Sequence, residues 1–303
     1  MDQKFYDGLK MILPKDCVKL DEPMEKHTTF RVGGPADYFV TPRSGEELKA
    51  VVALCRAQGV PCYIVGNGSN LLVADGGYRG AVIQIFQSMN KISVKGACIT
   101  AQAGALLSAV AARALENSLT GFEFAAGIPG TLGGACVMNA GAYGGEMKDV
   151  LTQVTVMSRE GEIFTIPAKE LAMGYRTSII AKKDYIVLEA VIGLKKGDAA
   201  QIRARMEELK EKRVTKQPLE YPSAGSTFKR PEGHFAGKLI QDSGLRGFRV
   251  GGAQVSEKHC GFVINKDGAT AADIAELMRR VAEKVEKDSG VVLEPEVKRL
   301  GEF

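Results

Sequence analysis

The chain has 303 residues, and 40 lysines and arginines against 36 aspartates and glutamates leave a formal net charge of +4. Its 45% hydrophobic content is too high for a disordered chain and ordinary for a globular one. Acidic and basic residues are interspersed, which argues against a dedicated nucleic-acid binder. No apolar run approaches the ~20 residues of a membrane span, and the mixed-charge N-terminus lacks a signal-peptide core. We therefore expect a cytoplasmic protein with neither nucleic-acid nor membrane partners.

Thiol and imidazole side chains are sparse. The cysteines form no Cys-x-x-Cys pair, so we expect reduced and mostly buried thiols at Cys17, Cys55, Cys62, Cys98, Cys136 and Cys260. The histidines, His27, His234 and His259, are too few and too scattered for a metal site. The sequence therefore predicts no bound metal.

The first elements in chain order are short. Residues 28–40 predict two strands around a turn at Gly33, Gly34 and Pro35. Residues 44–59 predict an amphipathic helix, with Ser44 and Glu47 as a capping box and Gly59 at its C-terminal end. A strand at 62–65 follows and runs into the sequence GNGSN. This order indicates an α/β unit.

Later segments repeat both patterns. Alternation predicts strands in 80–104 and 185–195 and a hairpin over 152–166 that turns at Glu160 and Gly161. Helical periodicity covers 106–115, 201–214 and 272–287, and short strands are predicted at 261–265 and 291–297. A composition change near 195–200 favours two domains, 1–197 and 198–303, both of mixed α and β structure.

Glycine is the unusual feature, with 35 in the chain. One group lies in GNGSN, residues 66–70, and eight more fall between residues 121 and 147. Converging backbone N–H groups suit an anion, and two such loops suit a dinucleotide. The GNGSN sequence is neither a Rossmann fingerprint nor a Walker A loop. A tight turn and a helix-packing surface are the structural alternatives.

Seven motifs occur together and in one order: TTFRVGGPADYFV, GNGSN, GFEFAAGIPGTLGGA, NAGAYG, YRTS, AGSTFK and LEPEV. In this the chain resembles the UDP-N-acetylenolpyruvoylglucosamine reductase (MurB) family, also called UDP-N-acetylmuramate dehydrogenases, over nearly its whole length. The resemblance implies a two-subdomain FAD-binding fold of the vanillyl-alcohol-oxidase (PCMH) type in residues 1–197. A C-terminal α/β substrate-binding domain would occupy 198–303. The short interval between Arg176 and Ser226 resembles the family branch that lacks an extra tyrosine-bearing loop.

The resemblance implies FAD as cofactor and NADPH as hydride donor. Because GNGSN has no histidine for covalent attachment, non-covalent FAD is expected. The implied FAD contacts are Gly66, Asn67, Gly68, Ser69, Asn70, Gly127, Ile128, Pro129, Gly130, Gly133, Asn139, Ala140, Gly141, Ala142 and Tyr143.

The implied reaction reduces an enolpyruvyl ether of a UDP-sugar, a step of peptidoglycan precursor synthesis. Such a reaction needs a carboxylate-binding cation, a proton donor and a group that stabilises the enolic intermediate. Family likeness assigns these roles to Arg176, Ser226 and Glu296. Lys229 or Lys216 would stabilise the serine alkoxide. Regular strand alternation would put Glu294 and Glu296 on one face, although Pro295 interrupts the strand pattern. Ordinary surface or turn positions are the alternative for all three catalytic candidates.

The remaining candidates concern the substrate and competing functions. UDP-sugar contacts are expected at Tyr175, Lys216, Lys229, Arg230 and Asn265. An oxidase of the same fold is one alternative, but an oxidase has no need of a serine proton donor. A non-catalytic nucleotide-binding protein is the other. The sequence does not indicate an oligomeric state.

Overall fold

The computed structural model describes residues 2–86 and 88–303. Its helices are α1 Gln3–Ile12, α2 Gly45–Ala57, α3 Leu107–Glu116, α4 Leu132–Met138, α5 Ile179–Lys182, α6 Ala199–Lys216, α7 Ala236–Asp242 and α8 Ala271–Ser289. The first strands are β1 Val18–Pro23, β2 Pro35–Val40, β3 Cys62–Val65, β4 Leu71–Val73, β5 Tyr78–Gln84, β6 Ile92–Lys95, β7 Cys98–Gln102, β8 Leu119–Thr120 and β9 Gly141–Ala142. The later ones are β10 Gly145–Glu146, β11 Leu151–Met157, β12 Ile163–Pro167, β13 Ile186–Gly193, β14 Lys195–Lys196, β15 Arg249–Val250, β16 Ala253–Val255, β17 Val263–Asn265 and β18 Lys298–Leu300.

The chain divides into two compact units that interleave along the sequence. The first comprises residues 1–20, 38–67 and 80–213, and the second comprises 21–37, 68–79 and 214–303. The sequence-based domain boundary at 197/198 stays a prediction.

The first unit is built on an antiparallel sheet in the order β12-β11-β13-β7-β6. A second sheet has the order β1-β2-β5-β3, in which β3 and β5 are parallel. Helix α2 begins at Ser44, whose hydroxyl accepts the N–H of Glu47 at 3.2 Å. The Glu47 carboxylate instead accepts the N–H of Arg43, so only half of the predicted capping box forms.

The second unit combines the antiparallel sheet β15-β16-β17 with helices α7 and α8 and the parallel pair β4 and β18. Helix α8 begins with a complete capping box of Thr270 and Asp273. The predicted inward face of this helix is confirmed, because the side chains of Ile274, Leu277, Met278, Val281 and Val285 are all buried. Periodicity predicted this helix well because one apolar stripe packs against one core.

Two expectations about local structure were wrong. Residues 28–32 form a turn with Arg31 at φ +55°, where the Thr28 hydroxyl donates to the Val32 carbonyl at 3.0 Å. Residues 291–297 form no regular strand and make one isolated bridge, between Phe228 and Pro295. The glycine-rich segment does contain a helix, α4, in which a Cβ at Gly133 would lie 3.0 Å from the Ala103 Cβ. At Gly133, the helix-packing alternative therefore describes the structure.

Candidate active site

The first two residues of GNGSN lie against the second glycine loop. A Cβ at Gly66 would lie 2.3 Å from the Thr131 hydroxyl oxygen, so these two segments of the chain approach too closely for residue 66 to carry a side chain. The Asn67 side chain donates from Nδ2 to the Pro129 carbonyl at 2.7 Å. Gln84 donates to the Gly66 carbonyl at 3.1 Å. The structure thus brings together two loops that are 62 residues apart in sequence.

The other residues of GNGSN belong to the second unit and are held by its backbone. Gly68 has φ +61°, and a Cβ there would lie 2.0 Å from the His27 carbonyl oxygen. Asn70 donates from Nδ2 to the Glu296 carbonyl at 3.1 Å, and its own carbonyl accepts the N–H of Lys298 at 3.0 Å. Both groups of Asn70 therefore position the C-terminal segment, a role that the motif alone did not reveal.

A half-buried cation lies beside the loop at 127–133. A Cβ at Gly127 would lie 3.2 Å from both Cδ and Nη1 of Arg213, near the end of α6. Burial lowers the pKa of Arg213, and the nearby Tyr143 hydroxyl opposes that shift. Sequence reasoning missed Arg213, since it is one of several basic residues in a charged amphipathic helix. Its placement against Gly127 is a tertiary feature.

Asn139 connects the NAGAYG segment to the turn that carries Arg176. Asn139 is buried at the end of α4 with φ +48°. Its Nδ2 donates to the Glu146 carboxylate at 2.9 Å and to the Gly174 carbonyl at 3.0 Å. Its Oδ1 accepts the N–H of Lys148 at 2.9 Å. A buried amide satisfied on both sides fixes the two segments relative to each other.

Arg176 lies at the tip of that turn. Gly174 and Thr177 pair through two backbone hydrogen bonds of 3.0 and 3.3 Å. Arg176 has φ +54° and Tyr143 has φ +52°, a conformation that non-glycine residues adopt mainly where surrounding structure enforces it. The guanidinium lies 5.0 Å from the centre of the Tyr175 ring. The hydrogen bond from Lys148 lowers the pKa of Glu146, and the charge of Arg176 acts in the same direction.

Ser226 and Glu296 lie on neighbouring segments of the second unit. The N–H of Glu296 donates to the Thr227 carbonyl at 2.9 Å, next to the bridge between Phe228 and Pro295. Ser226 is exposed, whereas the Glu296 side chain is buried. Thr227 is fully buried, and its hydroxyl accepts the N–H of Val263 at 2.9 Å. The sequence predicted these two site residues separately, and the structure places their backbones side by side.

The two glutamates of LEPEV have different environments. Glu294 is exposed and forms an ion pair with Lys229 at 2.8 Å, which lowers the pKa of Glu294. Glu296 is buried two residues later. Regular alternation would put both on one face, but the segment is not a regular strand and makes only an isolated bridge at Pro295. The structure thus separates a solvated carboxylate from a buried one.

The candidate substrate contacts differ in how many partners they already have. The Arg230 guanidinium lies 4.0 Å from the centre of the Phe235 ring. Lys216 is exposed at the end of α6. Asn265 donates to the Phe30 carbonyl at 3.1 Å and accepts the N–H of Ala269 at 2.8 Å, so both ends of its amide bond to the protein backbone.

Residues 2–86 and 88–303 contain no group of three or more His, Cys, Asp and Glu side chains arranged to hold a metal ion. Within the same residues, no helix combines the length and apolarity needed to cross a membrane.

Two protein-family models match the chain. The model described as "FAD binding domain" matches residues 36–167. The model described as "UDP-N-acetylenolpyruvoylglucosamine reductase, C-terminal domain" matches residues 217–300. Together they cover the first glycine loop, the second glycine loop and the segments that carry Ser226 and Glu296.

Curated relatives match over the full length. The UDP-N-acetylenolpyruvoylglucosamine reductase of Agathobacter rectalis is 54% identical, with all of both chains covered. The protein of the same name from Clostridioides difficile is 52% identical, with 99% of both chains covered. Identity at this level over complete chains shows membership of one family.

Comparison with solved structures supports the same family assignment. The crystal structure of UDP-N-acetylenolpyruvylglucosamine reductase (MurB) from Thermus caldophilus is 37% identical, with a TM-score of 0.81 over 94% of this chain and 99% of that chain. Phl p 4.0202, a glucose dehydrogenase, is 13% identical with a TM-score of 0.51 over 93% of this chain and 59% of that chain, and so shares the fold alone. The chain therefore belongs to the UDP-N-acetylenolpyruvoylglucosamine reductase (MurB) family, with the FAD-binding fold of the vanillyl-alcohol-oxidase type, and is an FAD-dependent oxidoreductase.

Proposed function

We propose that the chain reduces UDP-N-acetylglucosamine enolpyruvate to UDP-N-acetylmuramate with NADPH, as a cytoplasmic step of peptidoglycan precursor synthesis. The observation that carries the proposal is the match to reductases of this name over complete chains. The presence of Arg176, Ser226 and Glu296 in matching motifs supports it. An oxidase of the same fold would have no use for a serine that supplies a proton.

The donor groups of the glycine loops fit FAD. Residues 66–70 and 127–134 contain no carboxylate, and they offer backbone N–H groups, the Asn67 amide and the Ser69 hydroxyl. Arg213 adds a cation beside Gly127. Such a set suits an anionic dinucleotide. We assign the cofactor contacts to Gly66–Asn70, Gly127–Gly130, Gly133 and Asn139–Tyr143, with attachment non-covalent because GNGSN has no histidine.

Bound FAD would supply the hydride chemistry between NADPH and the β-carbon of the enolpyruvyl group. Arg176 binds the substrate carboxylate, since a guanidinium pairs with a carboxylate through two hydrogen bonds. Its turn is held by the Asn139 bond to Gly174, so the backbone that carries Arg176 is fixed before substrate arrives. The cation stabilises the negative charge that develops on the α-carbon and carboxylate.

Ser226 donates the proton to the α-carbon, and Glu296 stabilises the enolic intermediate or shares in its protonation. A hydroxyl is a weak acid and needs a nearby cation. Lys229 and Lys216 are the two candidates. Lys229 already forms an ion pair with Glu294. The variants Lys229→Met and Lys216→Met distinguish the two candidate lysines. At saturating substrate, replacing the lysine that serves Ser226 should slow reoxidation of the reduced flavin without slowing its reduction by NADPH. Replacing a lysine that only contacts substrate should instead raise the substrate concentration that reoxidation requires.

Substrate contacts are assigned to Tyr175, Lys216, Lys229, Arg230 and Asn265. Cations among them suit the UDP diphosphate. Asn265 has the least structural support of the five, because its amide already bonds to Phe30 and Ala269. We place the FAD-binding domain in 1–197 and the substrate-binding domain in 198–303. The two family-model matches fall inside these ranges, which supports the division.

Anaerobic stopped-flow spectroscopy tests the proposed function in two halves. NADPH should bleach the oxidised-flavin absorbance of the holoenzyme, and the enolpyruvyl sugar nucleotide should then restore it. A holoenzyme that NADPH reduces but only oxygen reoxidises would be an oxidase. A protein whose flavin NADPH fails to reduce would not be this reductase.

A further inference from the structure

Two free cysteines outside the proposed site, Cys55 and Cys62, lie close together in the first unit. Cys55 lies in α2 and is buried, while Cys62 begins β3 and is partly exposed. Each thiol shifts the pKa of the other, so the two side chains lie next to each other. Cys55 is thus buried and Cys62 is partly exposed, an arrangement in which one thiol meets a reagent and the other resolves the product.

A third side chain, that of Arg159, contacts Cys62. Arg159 donates from Nη1 to the Cys62 sulfur at 3.5 Å. Its other edge donates to both oxygens of Asp184, from Nε at 2.8 Å and from Nη2 at 2.9 Å. The planar guanidinium is therefore clamped in place with one N–H group directed at the sulfur. A cation that hydrogen-bonds a sulfur favours its thiolate, which is the reactive form.

The groups that face Cys62 are Cys55 from α2, Arg159 from the β11–β12 turn, and Asp184 from the segment before β13. The hydrogen bond from Cys55 and then the charge of Arg159 lower the pKa of Cys62 to about 7, against burial and Asp184, which raise it. The Cys62 hydrogen bond and burial raise the pKa of Cys55. Of the two thiols, Cys62 is thus the one that ionises more readily.

We propose that Cys62 and Cys55 form a reversible dithiol–disulfide site that reacts with peroxides, with Cys62 as the attacking thiolate and Cys55 as the resolving thiol. The Cys62 sulfur attacks one oxygen of hydrogen peroxide, the O–O bond breaks, and hydroxide leaves to give a sulfenic acid. The Cys55 sulfur then attacks the sulfenic sulfur, the S–O bond breaks, and water leaves with the Cys55 proton. Two thiols lose two electrons, and the peroxide becomes two waters.

The site lies on the strand that leads into the first glycine loop. Strand β3 runs from Cys62 to Val65, and Gly66 follows directly. The remaining cysteines provide internal controls, because Cys17, Cys136 and Cys260 are buried and Cys98 is exposed on β7. Burial raises the pKa of Cys136 to about 12, which makes that thiol unreactive.

Peptide mapping under non-reducing conditions tests the proposal on the holoenzyme. A brief treatment with hydrogen peroxide should produce one Cys55–Cys62 disulfide that dithiothreitol reverses. Cys55→Ala should instead accumulate a Cys62 sulfenic acid that a 1,3-dicarbonyl reagent captures. Cys17→Ala, which also removes a buried thiol, should still form the disulfide. Peroxide that oxidises Cys98 first, or that leaves Cys55 and Cys62 unlinked, would overturn the proposal.

The pH profile of alkylation tests the role of Arg159 without relying on Cys55. The rate of iodoacetamide attack on Cys62 should reach half its maximum near pH 7. Relative to a thiol of ordinary pKa, about 50-fold more thiolate at neutral pH and about 8-fold lower intrinsic nucleophilicity give a net gain of about 6-fold. Arg159→Met should raise the pH at which alkylation of Cys62 is half-maximal. Arg113→Met, which removes an arginine elsewhere on the surface, should not.

Asp184→Asn removes a negative charge near Cys62 and so tests the effect opposite to that of Arg159→Met. Asp184 has φ +53°, which asparagine tolerates. Removing its charge should move the Cys62 midpoint down or leave it, while Arg159→Met moves it up. Shifts in the same upward direction for both variants would mean that general disruption, not the charge of Arg159, controls this thiol.

Discussion

Asn70 donates from its side-chain Nδ2 to the backbone carbonyl of Glu296 at 3.1 Å. The last residue of GNGSN therefore holds the segment that carries the buried carboxylate. Within the second unit, this hydrogen bond links a residue proposed to contact FAD with a residue proposed to act on substrate. Asn70 is, by this geometry, a positioning residue for Glu296.

Asn70→Ala should lower the free energy of unfolding by about 1 kcal/mol, the usual net value of one hydrogen bond. It should also slow reoxidation of reduced flavin by substrate about fivefold, because Glu296 loses a backbone restraint. Asn117→Ala is the matched control, since Asn117 donates to the Arg113 carbonyl at 2.8 Å in an exposed hydrogen bond at the end of α3. If both variants lose stability equally and neither changes the half-reaction, Asn70 has only a structural role.

Asn67→Ala should weaken FAD binding by about 2- to 12-fold, corresponding to the loss of one hydrogen bond of about 0.5–1.5 kcal/mol. The reason is that the Asn67 bond to Pro129 holds the two glycine loops together before the cofactor enters. Flavin fluorescence titration of the apoprotein measures the dissociation constant. An unchanged constant would show that the loops keep their geometry without this bond and that the Asn67 side chain makes no contact with FAD.

Gly68→Ala and Gly59→Ala separate steric clash from backbone strain. Both glycines have positive φ, +61° and +66°, and so share a strain of about 1–2 kcal/mol when substituted. A Cβ at Gly59 meets open space, whereas one at Gly68 would lie 2.0 Å from the His27 carbonyl oxygen. Urea denaturation should therefore show a larger loss for Gly68→Ala. Equal losses would mean that residues 27–28 move aside easily.

Ser226→Ala should leave flavin reduction by NADPH unchanged and slow flavin reoxidation by substrate by 10²–10⁴-fold, the usual contribution of general acid catalysis. Only the second half-reaction consumes the proton. Anaerobic stopped-flow measures the two separately, and Ser223→Ala in the same segment is the control. Equal slowing of both half-reactions would contradict the assignment of Ser226 as proton donor.

His259 should make stability depend on pH below about 6.5. Burial lowers the pKa of His259, Lys216 adds to this, and a backbone hydrogen bond opposes it. The Gly261 N–H donates to Nδ1 at 3.1 Å, so the folded state holds the neutral ring. As pH falls through 6.5 the unfolded state binds a proton first, and this stability is lost as pH approaches the lower folded value.

The comparison variant for this prediction is His259→Gln. The free energy of unfolding of the wild type should fall more steeply between pH 6.5 and 5 than that of the variant, as chemical denaturation at each pH would show. Parallel curves for the two proteins would mean that His259 titrates alike in the folded and unfolded states.

The local pattern of apolar and polar residues correctly predicted those helices and strands that pack a single apolar face against a hydrophobic core. Helices α2 and α8 and the β11–β12 hairpin match their predicted positions closely, because periodicity, caps and a glycine turn all agree there. Predictions failed at residues 28–32 and 291–297, where the chain makes long-range contacts in place of a ladder. In the first case Asn265, far along the chain, bonds to the Phe30 carbonyl. A pattern over a few neighbouring residues cannot include a hydrogen-bond partner that is 235 positions away in the sequence.

The sequence by itself determined the family, the expectation of FAD and the residue types of the site, because motif order and chemistry are local properties. Tertiary structure alone decided how those residues are used. It buries Glu296 and leaves Glu294 in solvent, turns Asn70 toward the protein backbone, and sets Arg213 against Gly127. It also accounts for part of the excess of glycine. At Gly66, Gly68 and Gly133 a Cβ would meet the protein itself, so close packing of distant chain segments requires glycine there.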